Sequence, residues 1–525
     1  MKRTALFVLS LMLIALTIKP TSAPTAAQAP PGLLIYPYLG ETTTTSVVIS
    51  WATEGAGASE VHYSLDQSYG NLITAINSTY DGKYWHSAAI TGLTAGTTYY
   101  YKVYTGGDDV TPWTEITFTT APESTAAGFT FVALGDSRPV SEDSPPSLGA
   151  LALAAEMSQH SFDLALHTGD IVYRGGICSG DDSSWNQYIR AYFDLYRASA
   201  GHTPFYPSVG NHELNGGSCG YQGYTDVYDL PGSAPAGHGE EYYAFDWGNA
   251  HLVVLDTNQI YEVDSTQYNW LVNDLQTSAQ PWKFVFFHHP AYSSGYHGST
   301  SEVQAHLVPV FEANGVDVVF NGHDHHYERT CPILNDACTT PQDGSVVYYV
   351  TGGGGAPLYP ALGDWFTTYR HTIYHFLEVE VDDCQLRLDA TDANGNVFDS
   401  YAIDHCDSPS PTPTDTPTDT PTPTPTSTAT PTSTPTSTAT PTATPTATHT
   451  PTLTSTATRP PTEPEYQIYL PGVYRQSRAH PQSDWPRLRP GSKLLSPARQ
   501  QETLIALVLL ALFVALQTAT RWGSK

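Results

Sequence analysis

The chain has 525 residues, which is enough for more than one domain, and its formal net charge is −29 with neutral histidine. The charge is uneven, because residues 30–407 carry 45 acidic and 10 basic side chains, whereas residues 466–525 carry 2 acidic and 8 basic ones. Such an acidic body excludes nucleic-acid binding through its general surface. Any phosphate-binding site must therefore obtain its positive charge locally.

The N-terminus has the pattern of a secretory signal. A basic start is followed by an apolar run at Ala5–Ile18 and by small residues as far as Ala29. We interpret residues 1–29 as a signal peptide that is cleaved near Ala27 or Ala29. The alternative is an uncleaved anchor, although the apolar run is short for a membrane span. The pattern predicts an exported protein, extracellular or at the cell surface.

Residues 33–121 are predicted to form a small all-β domain. Short strand-like runs are separated by Gly, Asp, Asn and Thr, and this stretch lacks clustered histidines or carboxylates, which indicates a structural role. The run at residues 92–103 resembles the fibronectin type III pattern. The predicted strands are Val47–Trp51, Ser59–Ser64, His86–Ile90, Tyr99–Tyr104 and Glu115–Thr119.

After a linker at 122–128, apolar strand candidates alternate with helical stretches as far as residue 406. This alternation predicts an α/β domain at 128–406, with helices layered on a sheet. The predicted strands are Phe129–Leu134, Asp163–His167, Pro204–Val209, His251–Leu255, Phe284–Phe287, Val316–Phe320 and Val346–Val350. The predicted helices are 147–159, 184–199, 266–277 and 301–313.

The C-terminal part has a different composition. Residues 408–464 are mostly Pro and Thr, which predicts an extended stalk without a core. Residues 503–520 are uncharged and largely apolar, with basic residues on both sides. Eighteen helical residues just suffice to cross a hydrocarbon core, so we predict a transmembrane anchor. The alternatives are a short apolar tail or a helix that docks on a partner.

Six cysteines follow the signal, an even number that suggests disulfides in an exported protein. Fifteen connectivities are conceivable. Sequence neighbours favour two pairs and leave a third, and no Cys-x-x-Cys spacing supports a thiolate metal site. The favoured pairs are Cys331–Cys338 and Cys384–Cys406, which leave Cys178–Cys219.

The ends of five predicted strands carry the chemistry. Each is followed directly, or after a short turn that contains Gly, by a side chain that can bind a metal. In open α/β sheets the carboxyl edge is where ligands bind, so these side chains are expected to converge. The residues are Asp136, Asp170, Asn211, His288, His323 and His325.

The ligand types indicate the metals. Carboxylate, amide and imidazole together suit iron, zinc or manganese rather than calcium. One Asp can bridge two ions at about 3.5–4 Å, as in two-metal hydrolases. A single Gly-Asp is more often a simple turn, but five such blocks in order point to a two-metal phosphoesterase site.

The blocks resemble those of the purple acid phosphatases, which are calcineurin-like metallophosphoesterases. The resemblance spans residues 33–405 and implies a four-layer αββα domain behind a fibronectin type III-like domain. It is carried by the blocks Gly-Asp, Gly-Asp-x-x-Tyr, Gly-Asn-His-Glu, His-x-Pro and Gly-His-x-His-x-Tyr-Glu-Arg.

By position, the resemblance implies two metal ions bridged by Asp170. Tyr173 is the informative ligand, because related phosphoesterases without it lack the purple ferric centre. We expect Fe(3+) at its site and Fe(2+), Zn(2+) or Mn(2+) at the other. The implied ligands are Asp136, Asp170, Tyr173 and His325 for one ion, and Asp170, Asn211, His288 and His323 for the other.

Three further residues are expected at the substrate. By resemblance, His212 faces the phosphate beside Asn211, and His297 lies over the substrate as a proton donor. Arg138 stands where the family usually has Gly, and it could clamp the phosphate or pair with a surface acid. Plant members often have two histidines where this chain has His297-Gly298, which leaves the proton donor open between His297 and His212.

The predicted function is hydrolysis of small phosphate monoesters, of the acid phosphatase type, by a metal-bound hydroxide. Two alternatives remain open from the sequence. One is a phosphodiesterase or nucleotidase with the same metal site, and the other is a stalked cell-surface binding protein with an inactive phosphatase domain.

Overall fold

The computed structural model describes residues 32–125, 128–180, 183–341 and 344–406. The predicted signal peptide (1–29), Pro/Thr-rich stalk (408–464) and membrane anchor (503–520) lie outside the described residues. In the described ranges, no helix has both the length and the apolar character needed to cross a membrane.

The N-terminal domain is a sandwich of two antiparallel sheets. One sheet has the order β1-β2-β6-β5, and the other has β4-β3-β7-β8, with β9 also paired to β7. The strands are β1 Leu33–Thr42, β2 Ser46–Thr53, β3 Ser59–Ser64, β4 Asn71–Thr74, β5 Ile76–Tyr80, β6 Lys83–Thr91, β7 Thr98–Thr105, β8 Asp108–Asp109 and β9 Thr117–Thr119.

The second domain is built on two mixed sheets that pack face to face. The six-stranded sheet has the order β12-β11-β10-β22-β23-β24, and the seven-stranded sheet has β13-β14-β15-β16-β20-β17-β21. The strands are β10 Phe129–Leu134, β11 Leu164–His167, β12 Phe205–Pro207, β13 Tyr243–Trp247, β14 Ala250–Val254, β15 Trp282–Phe287, β16 Val318–Asn321, β17 Tyr327–Thr330, β18 Ile333–Leu334, β19 Ala337–Cys338, β20 Val347–Thr351, β21 Thr367–His371, β22 His375–Asp382, β23 Gln385–Asp392 and β24 Val397–Asp404.

Helices cover the outer faces of both sheets. The helices α1, α2 and α3 pack with the six-stranded sheet, whereas α6, α7 and α8 share a core with the seven-stranded one. They are α1 Leu148–Met157, α2 Ser184–Tyr188, α3 Asp194–Ala200, α4 Asn211–Leu214, α5 Gln222–Thr225, α6 Thr266–Thr277, α7 Ser301–His306 and α8 Val308–Ala313, with a π-helical turn at Ile189–Phe193.

The core between the two sheets is aromatic. The ring of Phe131 on β10 lies 5.2 Å from that of Phe284 and 6.0 Å from those of Phe286 and Phe320. Parallel pairing of β10 with β11, and of β14, β15 and β16, buries both faces of these strands, which explains their continuous apolar runs. The predicted architecture of a β-domain followed by a mixed α/β domain is confirmed.

The N-terminal domain packs directly on the second domain. The Tyr38 hydroxyl donates to the Val227 carbonyl (2.5 Å) and that of Tyr101 to the Gly201 carbonyl (2.7 Å). Trp85 belongs to the same apolar core as the six-stranded sheet. This shared core agrees with a structural role for the β-domain.

Two predicted helices differ from what the structure has. The stretch 301–313 is two helices that meet at Leu307, because Pro309 in the first turn of α8 has no N–H to continue a helix. The stretch 184–199 is helical throughout but changes to π geometry over Ile189–Phe193. Only α6 has the predicted bounds, and Ser265 caps its N-terminus through its side chain.

The three disulfides pair as the sequence neighbours suggested: Cys178–Cys219, Cys331–Cys338 and Cys384–Cys406. The first joins the segment after β11 to the segment after α4, and both segments lead out of the carboxyl edge of the six-stranded sheet. Such a crosslink restricts the unfolded chain and thereby stabilises the fold.

A buried histidine makes the stability of the fold dependent on pH. His251, at the start of β14, lies 2.7 Å from Asp246 Oδ1 and 2.7 Å from Asp274 Oδ2, and these hydrogen bonds outweigh burial and raise its pKa to about 9. Because the folded pKa exceeds the unfolded value, this contribution is complete below an unfolded pKa of about 6.5 and is lost as pH rises through about 9.

From this histidine, the native protein should lose on the order of 3 kcal/mol of its free energy of unfolding between about pH 6 and about pH 10. H251Q should lack this loss. Urea unfolding of both proteins at the two pH values measures it. Equal losses of stability in the native protein and the variant would contradict the assignment.

Candidate metal centre

Strands from both central sheets end at one common edge. Within the six-stranded sheet, β10 leads to Asp136, β11 to Asp170 and β12 to Asn211, while β15 and β16 of the other sheet lead to His288 and His323. A direct bond joins the two sheets here, because the His323 N–H donates to Asp136 Oδ2 (2.9 Å). The structure therefore brings together side chains that are up to 187 residues apart in sequence.

The backbone at this edge is strained. Asp136, Asp170 and His323 have φ values of 57°, 59° and 70°, in the left-handed region that non-glycine residues rarely adopt. Added methyl groups at Gly210 and Gly322 would overlap Asp170 Oδ1 and Asp136 Oδ2. Strain and close backbone approach of this kind concentrate at functional sites.

One group of ligand atoms is centred on His288. Its Nδ1–H donates to the Thr168 carbonyl (2.8 Å), so a neutral ring has its lone pair on Nε2. That atom lies 3.0 Å from Asn211 Oδ1 and 3.4 Å from Asp170 Oδ1. His323 Nδ1 is 3.2 Å away from the same atom. Lone pairs that face one another repel, and a cation between them would bind to all of them.

A second group consists of Asp136, Asp170 and His325, whose ligand atoms lie within 4.8 Å of one another and are buried. The His325 Nδ1–H donates to the Pro357 carbonyl (2.7 Å), and Nε2 lies 3.3 Å from Asp136 Oδ1. That oxygen is buried and accepts no hydrogen bond from any part of the chain that the structure describes. An unsatisfied carboxylate oxygen beside an imidazole lone pair fits a metal ion.

The electrostatics favour ligand-competent forms at one carboxylate and two imidazoles. Burial raises the pKa of Asp136, whereas at Asp170 the nearby His288, His212 and Arg138 outweigh burial and hold the pKa below its usual range. Burial lowers the pKa of His325 to about 4 and that of His323 below its usual range. Neutral imidazole and ionised carboxylate are the forms that bind metals.

Tyr173, His212 and Arg138 surround Asp170. The Tyr173 ring lies 5.2 Å from the His212 ring, and the Arg138 guanidinium lies 5.4 Å from the centre of the Tyr173 ring. His212 donates from Nδ1 to the Tyr173 carbonyl (2.6 Å), and its Nε2 lies 3.8 Å from Asp170 Oδ2. Arg138 is buried and pairs with the same oxygen (3.4 Å), so its partner is an acid of the site and not one of the surface.

His297 lies on an exposed loop that covers His323. The two ring centres are 4.0 Å apart. Tyr359 extends the same surface, since its ring stacks on His325 at 4.3 Å and lies 5.8 Å from the His297 ring. An imidazole in this place can reach a group bound at the metal candidates from the solvent side.

Sequence reasoning missed two residues at this site. His289 belongs to a metal-competent group with His288 and His323, and its Nδ1 lies 2.8 Å from Thr257 Oγ1. Glu213 is buried and accepts the N–H groups of Asp170 and Ile171, which hold the Asp170 turn, and that of Gly210, just before Asn211. Both could have been found, since His289 is the second imidazole of the His-His-Pro block and Glu213 ends the Gly-Asn-His-Glu block.

Residues 131–327 match the calcineurin-like phosphoesterase family, and residues 35–120 match the N-terminal domain of purple acid phosphatases. A purple acid phosphatase of Glycine max is 30% identical over 338 residues, which cover 60% of this chain and 70% of the relative. The Fe(3+)-Zn(2+) purple acid phosphatase 12 of Arabidopsis thaliana is 28% identical, with 59% and 68% covered.

The fold agrees with these relatives. The purple acid phosphatase PPD1 from yellow lupin (Lupinus luteus) superposes with a TM-score of 0.62 at 21% identity, and the match covers 72% of this chain and 75% of that one. The chain belongs to the purple acid phosphatase family and is a metal-dependent phosphoester hydrolase.

Proposed function

We propose that this protein hydrolyses phosphate monoesters at a dinuclear metal centre, as an acid phosphatase. One observation carries the proposal: two groups of ligand atoms converge from different strands and share Asp170, whose Oδ1 lies 3.4 Å from His288 Nε2. A carboxylate in both groups is what a pair of adjacent ions requires.

In this proposal seven side chains hold the two ions. Bound ions supply the positive charge that phosphoryl oxygens need and that the acidic body of the protein lacks. They also lower the pKa of a bound water. One ion would be held by Asp136, Asp170, Tyr173 and His325, and the other by Asp170, Asn211, His288 and His323.

The iron assignment depends on Tyr173. Its ring packs against His212 and beneath the Arg138 guanidinium, next to the Asp170 turn. The resemblance links a tyrosine at this position to the ferric centre, and one relative is named an Fe(3+)-Zn(2+) purple acid phosphatase. We therefore propose Fe(3+) at this site and Fe(2+), Zn(2+) or Mn(2+) at the other.

The remaining polar groups would act on the substrate. Arg138 and His212 both approach Asp170 Oδ2, so they can bind phosphoryl oxygens and stabilise the charge that develops on them. Asn211 presents its amide at the same edge. His297 approaches from the solvent side, where the leaving group departs, and we assign it the transfer of a proton to the leaving oxygen.

Several donors around one phosphate favour a monoester, which has more unesterified oxygens and more charge than a diester. The alternatives are a phosphodiesterase or nucleotidase with the same metals, and a stalked binding protein with an inactive phosphatase domain. Turnover of 4-nitrophenyl phosphate, a monoester, compared with bis(4-nitrophenyl) phosphate, a diester, distinguishes a monoesterase from a diesterase, and faster turnover of the diester would favour the first alternative. Absence of metal and of any hydrolysis would establish the second.

We also propose that the protein acts outside the cytoplasm. Three disulfides support this location, because such bonds form and persist in oxidising compartments. The N-terminal signal and the C-terminal anchor remain sequence predictions, and fractionation of cells that express the full chain tests both of them.

Metal analysis with a visible spectrum tests the centre itself. We expect about two metal ions per chain, including iron, and a charge-transfer band in the visible range. Y173F should abolish the band while H62Y, a change in the N-terminal domain, leaves it intact. Bound iron without the band in the native protein, or a band that persists in Y173F, would refute the Tyr173 assignment.

A further inference from the structure

A buried carboxylate holds the loop of residues 293–298, which carries His297. Asp324 is fully buried between the metal candidates His323 and His325 in sequence. Its Oδ1 accepts the His297 N–H (2.9 Å), and its Oδ2 accepts the Gly298 N–H (3.1 Å). The main chain on both sides of the His297 peptide is therefore tied to the segment that bears two metal candidates.

The start of the same loop wraps around this carboxylate. The Ser293 hydroxyl donates to Asp324 Oδ2 (2.5 Å) and accepts the Gly295 N–H (3.1 Å). A methyl group added at Gly295 would lie 2.6 Å from Asp324 Oδ2, so the chain packs tightly here. Three donors converge on Asp324, and its two side-chain oxygens accept all of them.

A second acid of the same segment completes the attachment. Glu328 is fully buried and accepts the Ser294 N–H on Oε2 and the Ser294 hydroxyl on Oε1, both at 2.8 Å. His326 Nε2 lies 3.1 Å from the same carboxylate. The loop is thus held along its length by the segment that follows β16, although its tip is exposed to solvent.

We propose that Asp324 is a positioning residue that holds the His297 imidazole at the leaving group. The inference rests on the proposed function, with His297 as proton donor. As the oxygen of a water molecule bonds to phosphorus, the P–O bond to the leaving group breaks and its electron pair stays on the leaving oxygen. His297 transfers its proton to that oxygen. A loop freed from Asp324 would let the ring move, and a displacement of about 1 Å can cost a hundredfold in rate.

Leaving-group dependence separates this role from a merely structural one. An ethyl phosphate needs the proton because ethoxide is a poor leaving group, whereas 4-nitrophenolate leaves unaided. D324N should lower kcat/KM for ethyl phosphate on the order of tenfold to a hundredfold and that for 4-nitrophenyl phosphate by less than about threefold. In an H297A background, D324N should have no further selective effect.

Two further variants guard against loss of metal or fold. S293A removes one donor to Asp324 without changing the metal segment, and it should show the same selectivity to a smaller extent. D317N alters another buried Asp that accepts a main-chain N–H (Lys283, 2.9 Å), and it should leave both substrates unaffected.

The inference would be overturned if D324N and S293A lowered kcat/KM equally for both esters. It would also be overturned if D324N lowered kcat/KM selectively for ethyl phosphate in the H297A background. Absence of hydrolysis of either ester by the native, metal-loaded protein would instead overturn the proposed function.

Discussion

Replacing Asp170 with Asn is expected to lower kcat/KM for phosphate monoesters by at least about a thousandfold, equivalent to roughly 4 kcal/mol of transition-state stabilisation. Asp170 is the residue that both groups of ligand atoms share. Its Oδ1 faces His288 Nε2 at 3.4 Å, and its Oδ2 lies 3.4 Å from Arg138 Nε. Asparagine keeps the shape but removes the negative charge, and a neutral amide is a poor bridge between two cations.

Metal content and kcat/KM should fall together in D170N. The matched control is D163N. Asp163 directly precedes β11, the strand that leads to Asp170, and its side chain accepts the Thr130 N–H (2.9 Å). That variant should retain metal and activity. A D170N protein with two metals per chain and native turnover would refute the proposed bridging role.

The second large effect is expected from H297A. Loss of a general acid costs about a hundredfold to ten-thousandfold, but only where the leaving group needs the proton. We therefore expect kcat/KM to fall by at least about a hundredfold for ethyl phosphate and to change little for 4-nitrophenyl phosphate. The ring position supports this, because His297 covers His323 at 4.0 Å from the solvent side.

His212 is the competing donor, and H212A separates the two. If His212 acts on the phosphoryl oxygens, its loss should lower kcat/KM for both esters alike. A selective loss in H212A together with a uniform one in H297A would reverse the roles. H306A, in α7 shortly after the loop, serves as a histidine control and should leave both esters unaffected.

Much of the site could be predicted because its signals are local. A buried strand followed by Gly and a ligand is visible in one short segment, as at β10 with Asp136 and at β16 with His323. The glycines before Asp136 and His323 are visible in the same segments, but what they make room for is distant, since added methyl groups would overlap Thr168 Oγ1 and Asp136 Oδ2.

Other features depended on distant partners. Arg138 pairs with a buried acid of the site, and Asp324 holds the His297 loop, although neither contact has a local signature. The strand β1 escaped prediction because its pairing with β2 has several register shifts, which disrupt the alternating pattern. The strands β22–β24 were also missed, and they complete a sheet whose other members lie more than 160 residues earlier.

The sequence by itself therefore determined the fold class, the order of the candidate ligands and the family, because hydrophobic runs, turns and ligand types are encoded over a few residues. Only the tertiary structure decided which ligands face one another, which acid Arg138 neutralises and what holds His297 in place. These are contacts between segments far apart in the chain. Their geometry is set by packing of the two sheets, which no short stretch of sequence specifies.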